Sequence, residues 1–144
     1  MTSRDTESVV SSTKAYYDGP ADQIYRTIWG DNLHLGVPCG DDCPHPEAME
    51  HTNEIMAKAV DLKPETKVLD LGCGYGSTAR FLAAHYGCHV TATNISEKEL
   101  ELGRERALEE GLEELVVFEY GDFHDLKYDD NSFDVVWSQE SFLH

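Results

Sequence analysis

Cationic side chains are scarce in this sequence: 11 Lys and Arg residues accompany 28 Asp and Glu residues, which gives a formal net charge of −17 at pH 7. A surface this acidic repels nucleic acid phosphates and anionic membranes. It also suits a protein that works in high salt, where repulsion between like charges is screened. We therefore expect neither nucleic acid nor a membrane as a partner.

Long apolar segments are absent as well. No stretch approaches the roughly 18 consecutive apolar residues that a membrane-spanning helix needs. Residues 1–14 are rich in Ser, Thr and acidic residues and lack the apolar centre of a signal peptide, so we predict a disordered tail there. A length of 144 residues allows one domain at most. Together these features predict a cytoplasmic protein.

Cysteine is rare, and a disulfide framework is not expected in a chain of this size. The four cysteines are Cys39, Cys43, Cys73 and Cys88. We predict that the last two are reduced packing residues, because one lies in a glycine-rich loop and the other begins a strand. The first two, with His45 and His51 nearby, suggest a zinc site, but their spacing gives an imperfect ligand set. We therefore predict a polar loop without a metal there.

A glycine-rich loop directly after an apolar strand is the most informative feature that the sequence does contain. Residues 68–76 read Val-Leu-Asp-Leu-Gly-Cys-Gly-Tyr-Gly. Glycines at alternate positions let a ligand lie against bare main chain, and the following helix directs its positive N-terminal end toward that ligand. A nicotinamide-binding loop would need a glycine at Ser77 and an acid about 20 positions further on, where residues 92–94 carry no carboxylate. The spacing therefore argues against NAD, and a glycine turn without a ligand remains the simpler alternative.

Residues 63–144 alternate between strand-like and helix-like segments, which predicts an α/β fold with a doubly wound parallel sheet. The predicted strands are 67–71, 89–93, 115–119 and 133–138, and the predicted helices are 77–86 and 96–111. Ser96 and Glu99 form a capping box at the start of the second helix. The acidic run on that helix is most simply a solvated face. It comprises Glu97, Glu99, Glu101, Glu105, Glu109 and Glu110.

Residues 15–62 form the predicted helical cap that precedes this core. It comprises one or two short aromatic-rich helices over 15–29, a loop over 30–46, and a helix from Pro46 to about Leu62. The expected buried stripe of this last helix consists of Met49, Ile55, Met56, Ala59 and Val60.

Polar residues follow each predicted strand, and the carboxyl ends of parallel strands meet at one edge of a sheet, where ligands bind. The sequence therefore predicts one ligand site across this edge. Its residues are Asp70 and the glycines after the first strand, Asn94 and Ser96 after the second, Asp122 and Phe123 after the third, and Ser138, Gln139 and Glu140 after the fourth.

The spacing of the acidic residue and the glycines resembles motif I of the class I S-adenosylmethionine-dependent methyltransferases. The resemblance implies a Rossmann-like fold in which Gly72, Gly74 and Gly76 hold the methionine part of S-adenosylmethionine, with Asp70 supporting it. It also implies that the end of strand two contacts the ribose and that an acid after strand three contacts the adenine. The residues so assigned are Asn94, Ile95, Asp122 and Phe123. The family's usual acid at the end of strand two is missing here.

Two longer strings, residues 28–36 and 136–144, are similar to the sarcosine/dimethylglycine N-methyltransferases. This resemblance implies methylation of a small amine, sarcosine or dimethylglycine, to the osmolyte glycine betaine. It also implies that this chain is the N-terminal part of a longer enzyme, with about four strands of a larger sheet. The loop over residues 37–47 does not belong to that pattern.

Glu140 and His144 are four residues apart and would share one face of a helix. Their spacing resembles that of a pair in alkaloid N-methyltransferases, and this resemblance implies that they act in base catalysis. We add His34 to the catalytic set, and Tyr17, Trp29 and Ser138 to the cofactor site. A solvent-facing pair and ordinary helix packing are the simpler alternatives.

Three alternative functions stay open: methylation of a phenol, quinol or alkaloid, cofactor binding without catalysis, and binding of a nicotinamide cofactor. An apolar edge at residues 135–137 would also allow self-association, and we expect the isolated piece to associate and to have little activity.

Overall fold

The computed structural model describes residues 3–20, 24, 27, 30 and 34–141. The elements within these residues are α1 (Ser3–Tyr17), α2 (His45–Lys58), β1 (Lys67–Leu71), α3 (Ser77–Tyr86), β2 (His89–Asn94), α4 (Glu97–Glu109), β3 (Val116–Tyr120) and β4 (Val135–Trp137). None of the helices described is long and apolar enough to cross a membrane.

The four strands form one parallel sheet in the order β3-β2-β1-β4. The chain adds β2 and β3 on one side of β1 and then returns to place β4 on the other side. This reversal creates a crevice at the carboxyl end of β1, where open α/β sheets bind ligands. The predicted fold class is therefore confirmed.

Local sequence signals fix the central elements. β1 is buried at every position after Lys67, as expected of a strand covered on both faces. α3 ends at Gly87, which adopts a φ of 69° and caps the helix as predicted. At the start of α4, the Ser96 hydroxyl accepts a hydrogen bond from the Glu99 backbone N–H at 3.3 Å. β1 has its predicted bounds, and the other three strands differ from theirs by one or two residues at their ends.

The core lies between the sheet and the helices α3 and α4. Val68, Leu82 and Leu100 have no solvent exposure. Phe118 fills the space beside Gly76 and Gly103, where an added Cβ would overlap its ring. Both glycines therefore serve packing of the helices against β3.

The predicted disordered tail is wrong, because residues 3–14 belong to α1. The helix is held by polar contacts near its end: the Lys14 ammonium donates to the Ile95 carbonyl oxygen at 3.2 Å, and the Ser96 hydroxyl donates to Asp18 at 2.6 Å. Asp18 also pairs with Lys14 at 3.0 Å. Composition alone could not reveal these partners, which lie about eighty positions further along the chain.

The helix predicted over 46–62 runs instead from His45 to Lys58. The prediction of its buried residues was also partly wrong, because Ile55 is 43% exposed and Ala59 is exposed. The stripe that faces α3 includes Asn53, whose amide oxygen lies 3.4 Å from the Thr78 hydroxyl. A search for apolar residues alone overlooks such a polar member. The buried residues are Ala48, Met49, Asn53 and Ala57.

Two further expectations are corrected by the structure. Glu99 does not belong to the solvated face of α4, since only 2% of it is exposed. Cys39 and Cys43 form a disulfide rather than part of an open polar loop. Both sulfurs are thereby removed as metal ligands, although Glu47 lies beside them. Cys73 and Cys88 are free, as predicted.

Candidate active site

A cleft lies at the carboxyl ends of the strands, and α1 forms its opposite wall. The cleft and the open solvent at its mouth together have a volume of about 1090 Å³. The residues that line it from the sheet side are Asp70, Gly72, Cys73, Gly74, Tyr75, Ser77, Thr78, Asn94, Ile95, Glu99, Asp122, Phe123, His124, Gln139, Glu140 and Ser141. Val9, Val10, Thr13, Tyr17 and His34 complete the lining.

The glycine loop presents bare backbone to this cleft. Gly72 and Gly74 adopt φ values of 73° and 54°, in the left-handed region that glycine favours. The N–H groups of Gly72 and Cys73 both donate to the Thr93 carbonyl oxygen, at 2.9 and 3.0 Å. These bonds tie the loop to β2 and fix its shape. Gly76, in contrast, does not line the cleft, and a Cβ at this position would point at the Phe118 ring.

Asp70 occupies the floor of the cleft and is 3% exposed. Its Oδ2 has no hydrogen-bond partner among the residues that the structure describes. Burial raises the pKa of this carboxyl to about 7. An ionised carboxylate in such a place is costly until a cation or a hydrogen-bond donor reaches it. Asp70 is therefore suited to a positively charged ligand.

Asn94 and Glu99 form a buried pair at the end of β2. The Asn94 amide donates to Glu99 Oε2 at 2.5 Å and to the Gly74 carbonyl oxygen at 3.3 Å. Its Oδ1 accepts from the Ile95 backbone N–H at 2.8 Å. The Asn94 amide is thus hydrogen-bonded to groups within the protein. Glu99, in the first turn of α4, brings a carboxylate to the end of β2. Glu99 was not predicted as a site residue, because its place in the helical pattern is that of a capping and surface residue.

Asp122 and Phe123 lie at the other end of the cleft, after β3. The His124 backbone N–H donates to Asp122 Oδ1 at 2.9 Å, and the His124 Nδ1 lies at the same distance. Partial burial would raise the pKa of Asp122, but these contacts with His124 outweigh it and lower the pKa. Asp122 is therefore an ionised acceptor. The tip of the Phe123 ring would lie 3.0 Å from a Cβ built on Gly72.

Residues 138–141, which follow β4, are not helical, and residues 142–144, over which the predicted helix would continue, lie outside the described residues. Glu140 adopts a φ of 55°, and its Oε1 accepts from the Leu35 backbone N–H at 3.0 Å. A non-glycine residue in this conformation is strained, and such strain concentrates at functional sites. His144 and Trp29 lie outside the described residues, so their roles stay predictions.

Two serines close the floor behind this segment. The Ser141 hydroxyl donates to the Leu71 carbonyl oxygen at 2.7 Å, and the Ser138 hydroxyl lies 2.5 Å from that of Ser141. Ser141 lines the cleft and Ser138 does not. The role of Ser138 in cofactor binding stays a prediction.

His34 is brought into the cleft beside Gln139, which the sequence placed in the ligand site after the fourth strand. The ring is 7% exposed, and its Nδ1 lies 3.0 Å from Gln139 Nε2. Its Nε2 has no hydrogen-bond partner among the described residues. The structure thus brings together most of the predicted residues, including Tyr17 from α1.

The comparison with protein families matches a methyltransferase domain to residues 68–144. The chain is 48% identical over 95% of its length to a glycine/sarcosine/dimethylglycine N-methyltransferase of Actinopolyspora halophila, and covers 25% of that protein. It is 41% identical over its whole length to a sarcosine/dimethylglycine N-methyltransferase of Halorhodospira halochloris, and covers 53% of it.

Solved structures show the same fold. A Galdieria sulphuraria protein assigned as a sarcosine dimethylglycine methyltransferase matches with a TM-score of 0.78 and 32% identity, over 88% of this chain and 49% of that one. The 4+2 cyclase SpnF matches with a TM-score of 0.82 and 25% identity, over 89% and 48%. The chain thus spans between about a quarter and about half of the length of these proteins. With the family match over 68–144, it belongs to the class I S-adenosylmethionine-dependent methyltransferases.

Proposed function

We propose that this protein transfers a methyl group from S-adenosylmethionine to the amine nitrogen of sarcosine and dimethylglycine, giving glycine betaine. The observation that carries the proposal is the charge of the cleft. Asp70, Glu99, Asp122 and Glu140 line it, and neither Lys nor Arg is found among its described lining residues. Such a wall favours cations. Each of the two methyl transfers begins with a sulfonium: the first converts sarcosine to dimethylglycine, and the second gives the quaternary ammonium of glycine betaine.

The residues present fit the proposed cofactor. Gly72 and Gly74 would hold its methionine portion against bare backbone, and Asp70 offers an unpartnered carboxylate oxygen beside them. The Asn94–Glu99 pair would face the ribose, and Asp122 would accept from the adenine amino group. When bound, the cofactor supplies an electrophilic methyl group on sulfur.

The protein's contribution is chiefly alignment, because displacement at the methyl carbon requires nitrogen, carbon and sulfur in line. An amine must also lose its proton before it attacks. Glu140 is exposed at the cleft, and its Oε1 is held by the Leu35 N–H, so its other oxygen would accept this proton. The wall formed by α1 would keep water away from the reacting atoms.

Methylation of a different acceptor molecule is the main alternative, because the residues proposed to bind the cofactor do not determine which acceptor is methylated. Fold alone does not decide the reaction either, as the cyclase with the same fold illustrates. We therefore expect acceptor tests to be decisive.

The test incubates the intact protein with S-adenosylmethionine and either sarcosine, dimethylglycine, a phenol or a quinol, and follows methyl incorporation by mass spectrometry. We expect product only with the two amines. Methylation of the phenol or quinol without the amines would refute the substrate assignment. Cofactor binding with no methylation of any acceptor would favour a binding module. A Glu140→Gln variant should lose turnover and keep cofactor affinity.

We also propose a cytoplasmic location and self-association through the outer edge of β4. Val136 on this strand is 63% exposed, and β4 pairs only with β1 among the described strands. Light scattering on this 144-residue piece tests the association, and its Val136→Lys variant should remain monomeric at concentrations where the parent piece associates.

A further inference from the structure

A chain of polar contacts links the segment after β4 to His34. The Trp137 Nε1 lies 3.5 Å from Gln139 Oε1, and the Gln139 Nε2 lies 3.0 Å from His34 Nδ1. The Thr78 hydroxyl lies 3.3 Å from the same Gln139 Oε1. Gln139 is therefore held between a tryptophan, a threonine and a histidine, and the orientation of its amide decides which ring nitrogen of His34 carries the proton.

Trp137 settles that orientation, because an indole N–H can only donate. It requires the carbonyl oxygen of the Gln139 amide on its side, which turns the amide NH₂ toward His34. His34 Nδ1 must then accept, so the proton of the neutral ring is on Nε2. The Leu35 carbonyl oxygen lies 3.1 Å from His34 Nδ1 and would favour the tautomer with the proton on Nδ1. In that tautomer, however, the Nδ1–H and the Gln139 NH₂ would be two donors facing each other.

The protonated Nε2 is buried in the cleft lining without a partner among the described residues. A buried N–H donor costs free energy until an acceptor atom meets it. Glu140 holds the same segment, since its carboxylate accepts from the Leu35 N–H. Gln139 and Glu140 therefore both hold the segment formed by His34 and Leu35.

The place of His34 in the sheet indicates which ligand supplies the acceptor atom. The strand order is β3-β2-β1-β4, so the proposed adenine, ribose and methionine subsites follow one another along the ends of β3, β2 and β1. The end of β4, with Gln139 and Glu140, is the next position in this row. It lies beyond the methionine end, on the side where the methyl acceptor would enter.

We propose that Gln139 fixes His34 as a hydrogen-bond donor through Nε2, and that this donor binds a carboxylate oxygen of the methyl acceptor. His34 is then a specificity-determining residue rather than the base of our sequence-based hypothesis, and Gln139 is its positioning residue. The acceptor class rests on the proposed function. In its neutral form this donor recognises a carboxylate without placing a cation beside the sulfonium.

The tautomer is tested first, by ¹⁵N–¹H correlation NMR on the intact protein with labelled histidine. We expect the Nε2–H form for His34 in the parent. Gln139→Glu replaces the donating amide by an acceptor and should move the proton to Nδ1. His85 is the matched control, because its Nδ1 lies 3.0 Å from the Phe81 carbonyl oxygen and it is exposed away from the cleft. A parent protein in the Nδ1–H form overturns the proposal.

In the second experiment, the protein bound to S-adenosylhomocysteine is titrated separately with acetate, with dimethylglycine and with N,N-dimethylethylamine. The last compound has the same amine group as dimethylglycine but no carboxylate. Acetate and dimethylglycine should shift the His34 Nε2–H resonance, and the amine should not. Gln139→Glu and His34→Phe should each weaken dimethylglycine binding about tenfold, as expected for one lost hydrogen bond to a charged group. Both should leave the affinity for the amine within about twofold.

Equal weakening of both amines, or no shift of the His34 resonance with acetate, would refute the role of His34. Weakening of S-adenosylhomocysteine alone would assign the donor to the cofactor and would likewise overturn the proposal. Acetate needs no methyl transfer, so a shift with acetate but no turnover with either amine would refute the proposed function and leave the donor role of His34 intact.

Discussion

The two walls of the cleft are held by different kinds of contact. On the sheet side, the glycine loop is tied to β2 by backbone hydrogen bonds to Thr93, and it rests on a fully buried core. On the opposite side, α1 is attached to the β2–α4 loop by side chains: Lys14 reaches the Ile95 carbonyl oxygen, and Asp18 accepts from Ser96. The first wall is part of the cooperative core, and the second depends on a few exposed or half-exposed polar contacts.

This difference predicts that the sheet-side wall carries the global stability, whereas the α1 wall can open locally. Local opening free energies range from near zero in weakly packed segments to the full unfolding free energy in the core. A lid that must admit substrate belongs to the weakly held class. The predictions below test this contrast.

The largest effect is expected for Gly76→Ala. Its φ of 70° is strained for alanine, and the new Cβ would lie 2.5 Å from Phe118 Cζ. We expect a loss of about 3 kcal/mol in the free energy of unfolding, from backbone strain and overpacking. Urea denaturation measures it.

Gly111→Ala is the matched control for this variant, because Gly111 has the same φ of 70° and nothing within 4 Å of an added Cβ. It should lose only the strain energy, about 1 kcal/mol. Equal losses in the two variants would show that Phe118 packing does not hold this wall.

Asp70→Asn should stabilise the protein without cofactor and weaken cofactor binding. The folded-state pKa of Asp70 is raised to about 7, above its unfolded value, so its ionisation destabilises the fold progressively as pH rises from about 4 to 7. The stability of the variant relative to the parent should therefore increase by about 2 to 3 kcal/mol between pH 5 and pH 8.

Urea denaturation at several pH values measures this difference, and calorimetric titration measures the affinity for S-adenosylmethionine. The exposed Asp130 provides the control variant Asp130→Asn, which should show no such trend. In the parent, affinity for the cationic cofactor should rise as pH increases through 7, with proton release on binding. A stability difference independent of pH would contradict the assigned burial of Asp70.

The smallest effect is expected for Asp18→Ala, which removes the contact of α1 with Ser96. The pKa of Asp18 is lowered, because hydrogen bonding to Ser96 and Lys14 outweighs the opposing effect of partial burial. We expect less than about 1 kcal/mol of change in global stability, but faster hydrogen exchange throughout α1.

Ser96→Ala provides the comparison, since it removes the same contact and also the cap of α4. It should lose about 1 kcal/mol more of global stability. Loss of global stability in Asp18→Ala equal to that in Ser96→Ala would mean that α1 belongs to the cooperative core and does not open by itself.

Local signals made much of the core predictable. Glycine after α3, a cap residue before α4 and continuous apolar strands each act within a few residues, so β1 and α3 were predicted with their observed bounds. Gly72 and Gly74 of the glycine loop line the cleft, whereas Gly76 packs against Phe118 on the distant strand β3, and their roles in cofactor binding stay predictions.

The remaining errors concern residues whose partners are distant in sequence. Glu99 occupies a surface position in the helical pattern, yet the end of β2 encloses it beside Asn94. Residues 3–14 lack an apolar stripe, yet their helix is docked by Lys14 and Asp18. Gln139 was predicted to belong to the ligand site, but its contact with His34 was not, because that contact spans 105 positions.

The sequence by itself determined the parallel α/β fold, the glycine loop and the place of the cleft, because periodicity, caps and glycine conformation act locally. Only the tertiary structure decided that α1 closes the cleft, that Glu99 enters it, and that Gln139 orients His34. These features depend on side chains from separate elements meeting in one buried space. There, desolvation and hydrogen bonding decide the position of each group, and neither can be evaluated before the partner is known.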